Sequence, residues 1–180
     1  MRIIIATPLY PPDIAEPAPY SKEAARRLAQ KHDVTVVAYG RLPEKAPRVK
    51  AVLVSKQQPL LVRLLRYTFA LMSEARCADI VYAQNGASVE LPAGIAALFL
   101  RKPLIMHIAD VAANERAKKT LFPGLIQQFA FRQAREVLAD RPLSKPEILP
   151  FEPAPTDALA AYEASWIEHL ATLEALLHHA

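Results

Sequence analysis

The sequence predicts a single Rossmann-like α/β domain with a doubly wound, mostly parallel sheet and helices on both faces, on three observations. Short β-branched runs alternate with longer helical segments over residues 1–150, the pattern of repeated strand–helix–strand units. Residues 2–7 and 34–39 are almost continuously apolar, as strands covered on both faces must be. The chain has 180 residues, 52% of them hydrophobic, which suits one domain with a substantial core and is short for two.

The first strand is 2–7, RIIIAT, and a loop carrying Pro8, Pro11, Pro12, Pro17 and Pro19 follows. Proline has no amide donor and restricts the residue before it, so neither a strand nor an early helix is expected there. Ser21 is read as the N-cap of a helix running to Lys31, with Glu23 in its first turn, where the helix dipole favours negative charge. The second strand, 34–39, ends at Gly40 and completes a strand–helix–strand opening. Residues 49–54 form the third strand, 60–76 a mostly apolar helix, and 79–84 the fourth strand, which runs into a turn at Asn85-Gly86-Ala87. Residues 91–100 are apolar all round and predict a buried helix. A fifth strand at 103–108 precedes helices at 112–119 and 125–135, separated by a break at Phe122-Pro123-Gly124. Short strands at 136–139 and 147–150 close the sheet.

Residues 151–180 read as a stiff connector, FEPAP, and a helix capped by Thr156 or Asp157. Leu159, Tyr162, Trp166, Leu170, Leu173 and Leu177 recur at spacings of three and four. Such a stripe must be buried, and the preceding domain is the surface expected to bury it.

Composition excludes several classes. Cys77 is the lone cysteine, so no internal disulfide and no multi-thiolate zinc site is expected. His178-His179 lack the further ligands a metal needs. No G-x-G-x-x-G, P-loop or G-x-S-x-G occurs, and four glycines leave little room for one. No cofactor is therefore expected. The opening apolar run is too short for a signal peptide, and the longest apolar stretch, 60–72, is interrupted by Arg63 and Arg66. It falls short of the ~20 residues of a spanning helix. It can lie on a membrane surface, and core packing explains its leucines equally well. A cytoplasmic protein, soluble or peripheral to the inner face of the membrane, is the expectation. The net charge of +4 permits phosphate or anionic-lipid partners, but charge bears first on solubility, and no nucleic-acid partner is expected.

The opening MRIIIATPLYPPDIAEPAPYSKEAARRLAQKHDVTVVAYG resembles the start of family-4 retaining glycosyltransferases of the GT-B fold. These begin with a strand, a P-x-x-PP-x-x-GG turn, a helix ending in a basic segment, and a V-T-V-x strand. DIVYAQNGASVELPAGIAALFLRKPLIMHIAD is similar to their fourth strand, buried helix and fifth strand, and DALAAYEASWIEHLATLEALL to their final helix, which crosses back onto the N-terminal domain. The resemblance covers most of residues 1–140. It implies the acceptor-side domain of such an enzyme without the donor-binding second domain, whose loop–helix carries two glutamates eight residues apart. No two glutamates here have that spacing. The implied protein is a half-enzyme, inactive alone, that binds a sugar or lipid-linked acceptor and relies on a separate donor-domain protein or on a homo-oligomer.

Candidate site residues lie after the first, fourth and fifth strands, at the carboxyl edge where open α/β sheets bind ligands. In the first loop these are Asp13, Ala15 and Glu16. Ala15 and Glu16 replace the family's paired glycines, adding a Cβ and a negative charge where a diphosphate would approach, although a proline-rigidified turn accounts for the loop as well. Gln84, Asn85 and Gly86 offer amides suited to sugar hydroxyls and a glycine for a tight turn, while Asn-Gly is also simple turn chemistry. The family often places a histidine or acid after the fifth strand. Here that position is Ala109, with Asp110 beside it and His107 two residues earlier on the same side of the strand. His107 and Asp110 are thus the catalytic candidates. A satisfied core histidine and a helix N-cap are their structural alternatives. Glu115 and Arg116 lie one turn further on. A non-catalytic binding or regulatory protein descended from such an enzyme is the alternative function.

Overall fold

The computed structural model describes residues 1–13, 18–109, 111–138 and 156–179. In chain order the elements are β1 (Arg2–Ala6), α1 (Ala18–Leu28), β2 (Asp33–Tyr39), β3 (Val49–Val54), α2 (Leu60–Ala75), β4 (Ile80–Gln84), α3 (Ala87–Leu100), β5 (Leu104–His107), α4 (Val111–Lys118), α5 (Leu121–Gln133), β6 (Glu136–Leu138) and α6 (Thr156–His179). The six strands form one parallel sheet in the order β3-β2-β1-β4-β5-β6. The chain builds outward from β1 to β3, then returns to the other side of β1 and builds outward again. That reversal makes the β1/β4 boundary a topological switch point. The expected strand at 147–150 and the connector at 151–155 lie outside the described residues.

Period-two alternation sorts the strand residues into two cores. One face carries Ile4, Ala6, Val37, Val81, Ala83, Leu104 and Met106, covered by Tyr67 and Leu71 of α2 and by Val89, Ala93 and Ala96 of α3. The other carries Ile3, Ile5, Val36, Ile80, Tyr82 and Ile105, covered by Ala25 and Leu28 of α1 and Leu173 and Leu177 of α6. The terminal helix therefore packs back beside α1. Trp166, Leu173 and Leu177 of the predicted stripe are buried, while Leu159 is exposed. Charged groups flank the seam. The Arg27 guanidinium bonds both oxygens of Glu163, at 2.7 and 2.9 Å, and lies 5.3 Å from the ring centroids of Tyr162 and Trp166. Lys31 pairs with Glu174 at 2.9 Å.

Three helix starts differ from the sequence expectation. Helix α1 begins at Ala18, so Ser21 is an interior, buried residue and not its N-cap. Glu23 accordingly lies beyond the first turn and pairs with Arg26 and Arg27. Helix α5 begins at Leu121, with Pro123 inside its first turn. Proline is tolerated in a first turn because amides there have no intrahelical acceptor, so Pro19 and Pro123 do not delay the start. Helix α3 begins at Ala87 and contains Pro92. Pro92 cannot donate to the carbonyl of Ser88, and that carbonyl accepts the Tyr39 hydroxyl at 3.0 Å instead. Helix α3 also crosses α5 closely at Gly94, where a Cβ would stand 2.7 Å from Phe129 Cε1 and 3.3 Å from Ala130 Cα.

Candidate functional site

Alternation that is apolar inside the sheet turns polar at its carboxyl edge. On the α1/α6 face the last positions are Thr7 after β1, Gln84 of β4 and His107 of β5, with Gln84 and His107 in register. Thr7 Oγ1 lies 2.6 Å and Ser21 Oγ 2.8 Å from Gln84 Oε1, and the two hydroxyls are 3.1 Å apart. All three side chains are fully buried. The switch point is thus closed by its own hydrogen bonds, and the Gln84 carbonyl expected to face a ligand is engaged within the protein. Gln84 Nε2 is buried with no hydrogen-bond partner.

Asn85 and Gly86 sit one step further out. The Asn85 amide donates to the His107 carbonyl at 2.8 Å, tying the ends of β4 and β5 together. Gly86 holds a φ of 137° as the residue before α3, a conformation that favours glycine. Its amide donates to Glu90 Oε1 at 3.1 Å. These residues line a cleft of about 250 Å³ together with Ala87, Glu90, Arg116 and Thr120. Glu90 is almost wholly buried, its Oε2 makes no hydrogen bond, and burial raises its pKa against the opposing pull of the Gly86 amide. Behind it, Gln127 Nε2 donates to Asn114 Oδ1 at 2.7 Å, both residues buried.

His107 is not a lone strand histidine. Its Nδ1 is 2.6 Å from the Tyr82 hydroxyl, which is 2.9 Å from the Tyr20 hydroxyl, which is 2.9 Å from His169 Nε2. Trp166 stacks on Tyr20 at 5.7 Å and 21°. The array therefore runs from β5 through β4 and α1 to α6. Burial, and then the nearby His169, push the His107 pKa down to about 4. Its imidazole is neutral at pH 7, a hydrogen-bond former and not a cation. Burial likewise raises the phenol pKa values of Tyr20 and Tyr82.

The remaining candidates are scattered. The Asp13 carboxylate is half-exposed and paired with Lys56 at 2.6 Å. Ala15, Glu16 and Asp110 lie outside the described residues. Glu115 pairs with Lys118 on the surface, and Arg116 reaches the cleft. Sequence reasoning missed Thr7, Tyr20, Tyr82, Glu90 and His169. Tyr82 and Gln84 share a strand parity, and His169 lies three residues after Trp166, on the stripe; those were the available signals. Among the described residues no group of three or more His, Cys, Asp or Glu is placed to hold a metal, and no helix is long and apolar enough to cross a membrane.

No family model matches the chain, and no curated protein matches it in sequence. Its fold is similar to that of Anabaena HepE, solved in complex with UDP and glucose, at a TM-score of 0.57 and 19% identity over 78% of this chain and 38% of that one. A Listeria monocytogenes protein assigned as a UDP-N-acetylglucosamine 2-epimerase matches at 0.52 and 14%, over 76% of this chain and 38% of that one. The C-terminal domain of the coenzyme A biosynthesis bifunctional protein CoaBC matches at 0.52 and 14%, over 99% of this chain and 96% of that domain. These likenesses show a Rossmann-like fold. The chain spans well under half the length of HepE and of the Listeria protein.

Proposed function

We propose that this chain is the acceptor-side domain of a family-4-type glycosyltransferase system, binding a sugar or lipid-linked acceptor and depending on a donor-binding partner for transfer. The observation that carries the reading is the edge itself. Asn85, Gly86 and a neutral His107 meet where β4 and β5 end, and the first two border a cleft. Neutral donors and acceptors suit hydroxyl groups, whereas a diphosphate calls for backbone amides converging with positive charge. HepE, whose fold is similar, was solved with UDP and glucose, and this chain spans 38% of it. Stabilising a departing nucleoside diphosphate needs groups aimed at its developing charge, and we assign those groups to the partner. Exposed Leu61, Leu65 and Phe69 on α2, beside Arg66, suit an acceptor presented at a membrane surface.

Incubation of the homogeneous chain with nucleotide-sugars and candidate acceptors tests this, with and without a donor-domain protein co-purified from the source organism. Turnover is expected only in the mixture. Transfer by the chain alone overturns the division of labour. Ala109, standing where the family often has a histidine or acid, favours a second reading as a binding or regulatory protein. Sugar binding with no transfer in any mixture would select it.

A further inference from the structure

The array His107–Tyr82–Tyr20–His169 has three contacts at 2.6, 2.9 and 2.9 Å but only two hydroxyl protons. In the state in which both rings are neutral, the third proton must come from an imidazole N–H. Two arrangements satisfy all three contacts. In the first, His169 Nε2–H donates to Tyr20, Tyr20 to Tyr82, and Tyr82 to His107 Nδ1. In the second, His107 Nδ1–H donates to Tyr82, Tyr82 to Tyr20, and Tyr20 to His169 Nε2. Both rings are therefore Nε2–H tautomers, or both are Nδ1–H tautomers. Mixed states fail. If both rings accept, no proton lies between the two phenol oxygens. If both donate, one buried hydroxyl proton has no acceptor. Tyr82 and His169 are buried, and although Tyr20 is only half-buried as a residue, its phenol group is buried deeply enough for burial to raise its pKa, so water does not make good the loss.

We propose that His169 is a positioning residue: through Tyr20 and Tyr82 it sets which ring nitrogen of His107 carries the proton. His107 Nε2 makes no hydrogen bond among the described residues and sits at the carboxyl end of β5. It presents a donor in the first arrangement and an acceptor in the second. Helix α6 thereby selects how a ligand hydroxyl is met at the edge. This consequence for a ligand rests on the acceptor-binding reading, whereas the coupling of the two tautomers does not.

Two-bond nitrogen–proton correlation spectra of the full chain, labelled with ¹⁵N-histidine and recorded at a pH where neither ring carries a second proton, read both tautomers without any ligand. His107→Gln and His169→Phe assign the signals. The expected result is an equal fraction of Nδ1–H tautomer on His107 and His169. In His169→Phe, whose folding is checked by its backbone spectrum, Tyr20 can donate only to Tyr82, so His107 reads entirely as Nε2–H. Unequal fractions in the wild-type chain overturn the proposal, as does persistent Nδ1–H on His107 in a folded His169→Phe. The wild-type comparison decides the matter even where the variant does not fold. Failure of sugar binding leaves this result intact and bears on the acceptor reading alone.

Discussion

The two faces of the sheet share strands and alternation yet do different work. Under α2 and α3 the core is mostly aliphatic, and its buried hydroxyls serve the backbone: Tyr67 donates to the Val37 carbonyl at 2.8 Å and Tyr39 to that of Ser88. Under α1 and α6 the same alternation ends in Thr7, Gln84 and His107, and the helices answer with Ser21, Tyr20, His169 and Trp166. The difference teaches that the edge draws on both faces: the α2/α3 face carries the cleft beside Asn85, Gly86, Glu90 and Arg116, while the α1/α6 face carries the buried polar array through His107. Polar satisfaction on that second face comes from distant parts of the chain, so it is sensitive to single changes.

The largest effect separating the faces is expected from Trp166→Ala. This removes a fully buried ring that stacks on Tyr20 and lies against the Arg27 guanidinium. Truncations of buried Trp or Phe cost about 3–5 kcal/mol, against a domain stability of ~5–15 kcal/mol. Urea unfolding should show a large fall in midpoint or an unfolded chain. An unchanged midpoint would mean that α6 does not hold this face.

Acid comes next. The folded pKa of His107, about 4, lies below the ordinary imidazole value of roughly 6.5. The unfolded chain thus binds the extra proton first. The contribution is full above about pH 6.5 and is lost as pH falls toward 4, with a slope approaching ~1.4 kcal/mol per pH unit and a total of ~3 kcal/mol. Subtracting the His107→Gln curve removes the carboxylates that titrate in the same window. A difference curve that is flat between pH 7 and 4 would contradict the buried, neutral imidazole.

The aliphatic face is probed by Gly94→Ala. Its new Cβ meets Phe129 at 2.7 Å and the α5 backbone at 3.3 Å. Overpacking of this kind costs about 1–3 kcal/mol, and the gain in helix propensity returns roughly 1 kcal/mol. A net loss of about 1 kcal/mol is expected, with no change in the histidine spectra. A shift of the His107 signals would show that the faces are coupled. The smallest effect belongs to Lys31→Ala, which breaks an exposed pair with Glu174 and should cost ~0–1 kcal/mol.

How much of this was legible in the sequence follows from where each signal is encoded. The strand 49–54 and the stripe through Trp166, Leu173 and Leu177 are local periodicities, and both were read correctly. Ser21 was misread because a serine after a proline-rich loop has the chemistry of a cap. Its partner Gln84 is 63 residues away, and only the folded chain brings them together. His107 and Gln84 were placed at the edge by where their strands end, but their engagement by Tyr82, Thr7 and Ser21 depends on contacts that no local pattern carries. The His169–Tyr20 bond spans 149 positions.

The central claim is that the edge at β4 and β5 meets a neutral, hydroxyl-rich acceptor and is not a nucleoside diphosphate site. Titrating the ¹⁵N-labelled chain separately with simple sugars and with UDP, read by backbone amide shifts, tests it most directly. The account predicts saturable shifts at Asn85, Gly86 and His107 with at least one sugar, and none with UDP at submillimolar concentration. Micromolar UDP binding at those residues, with no response to sugars, would contradict it.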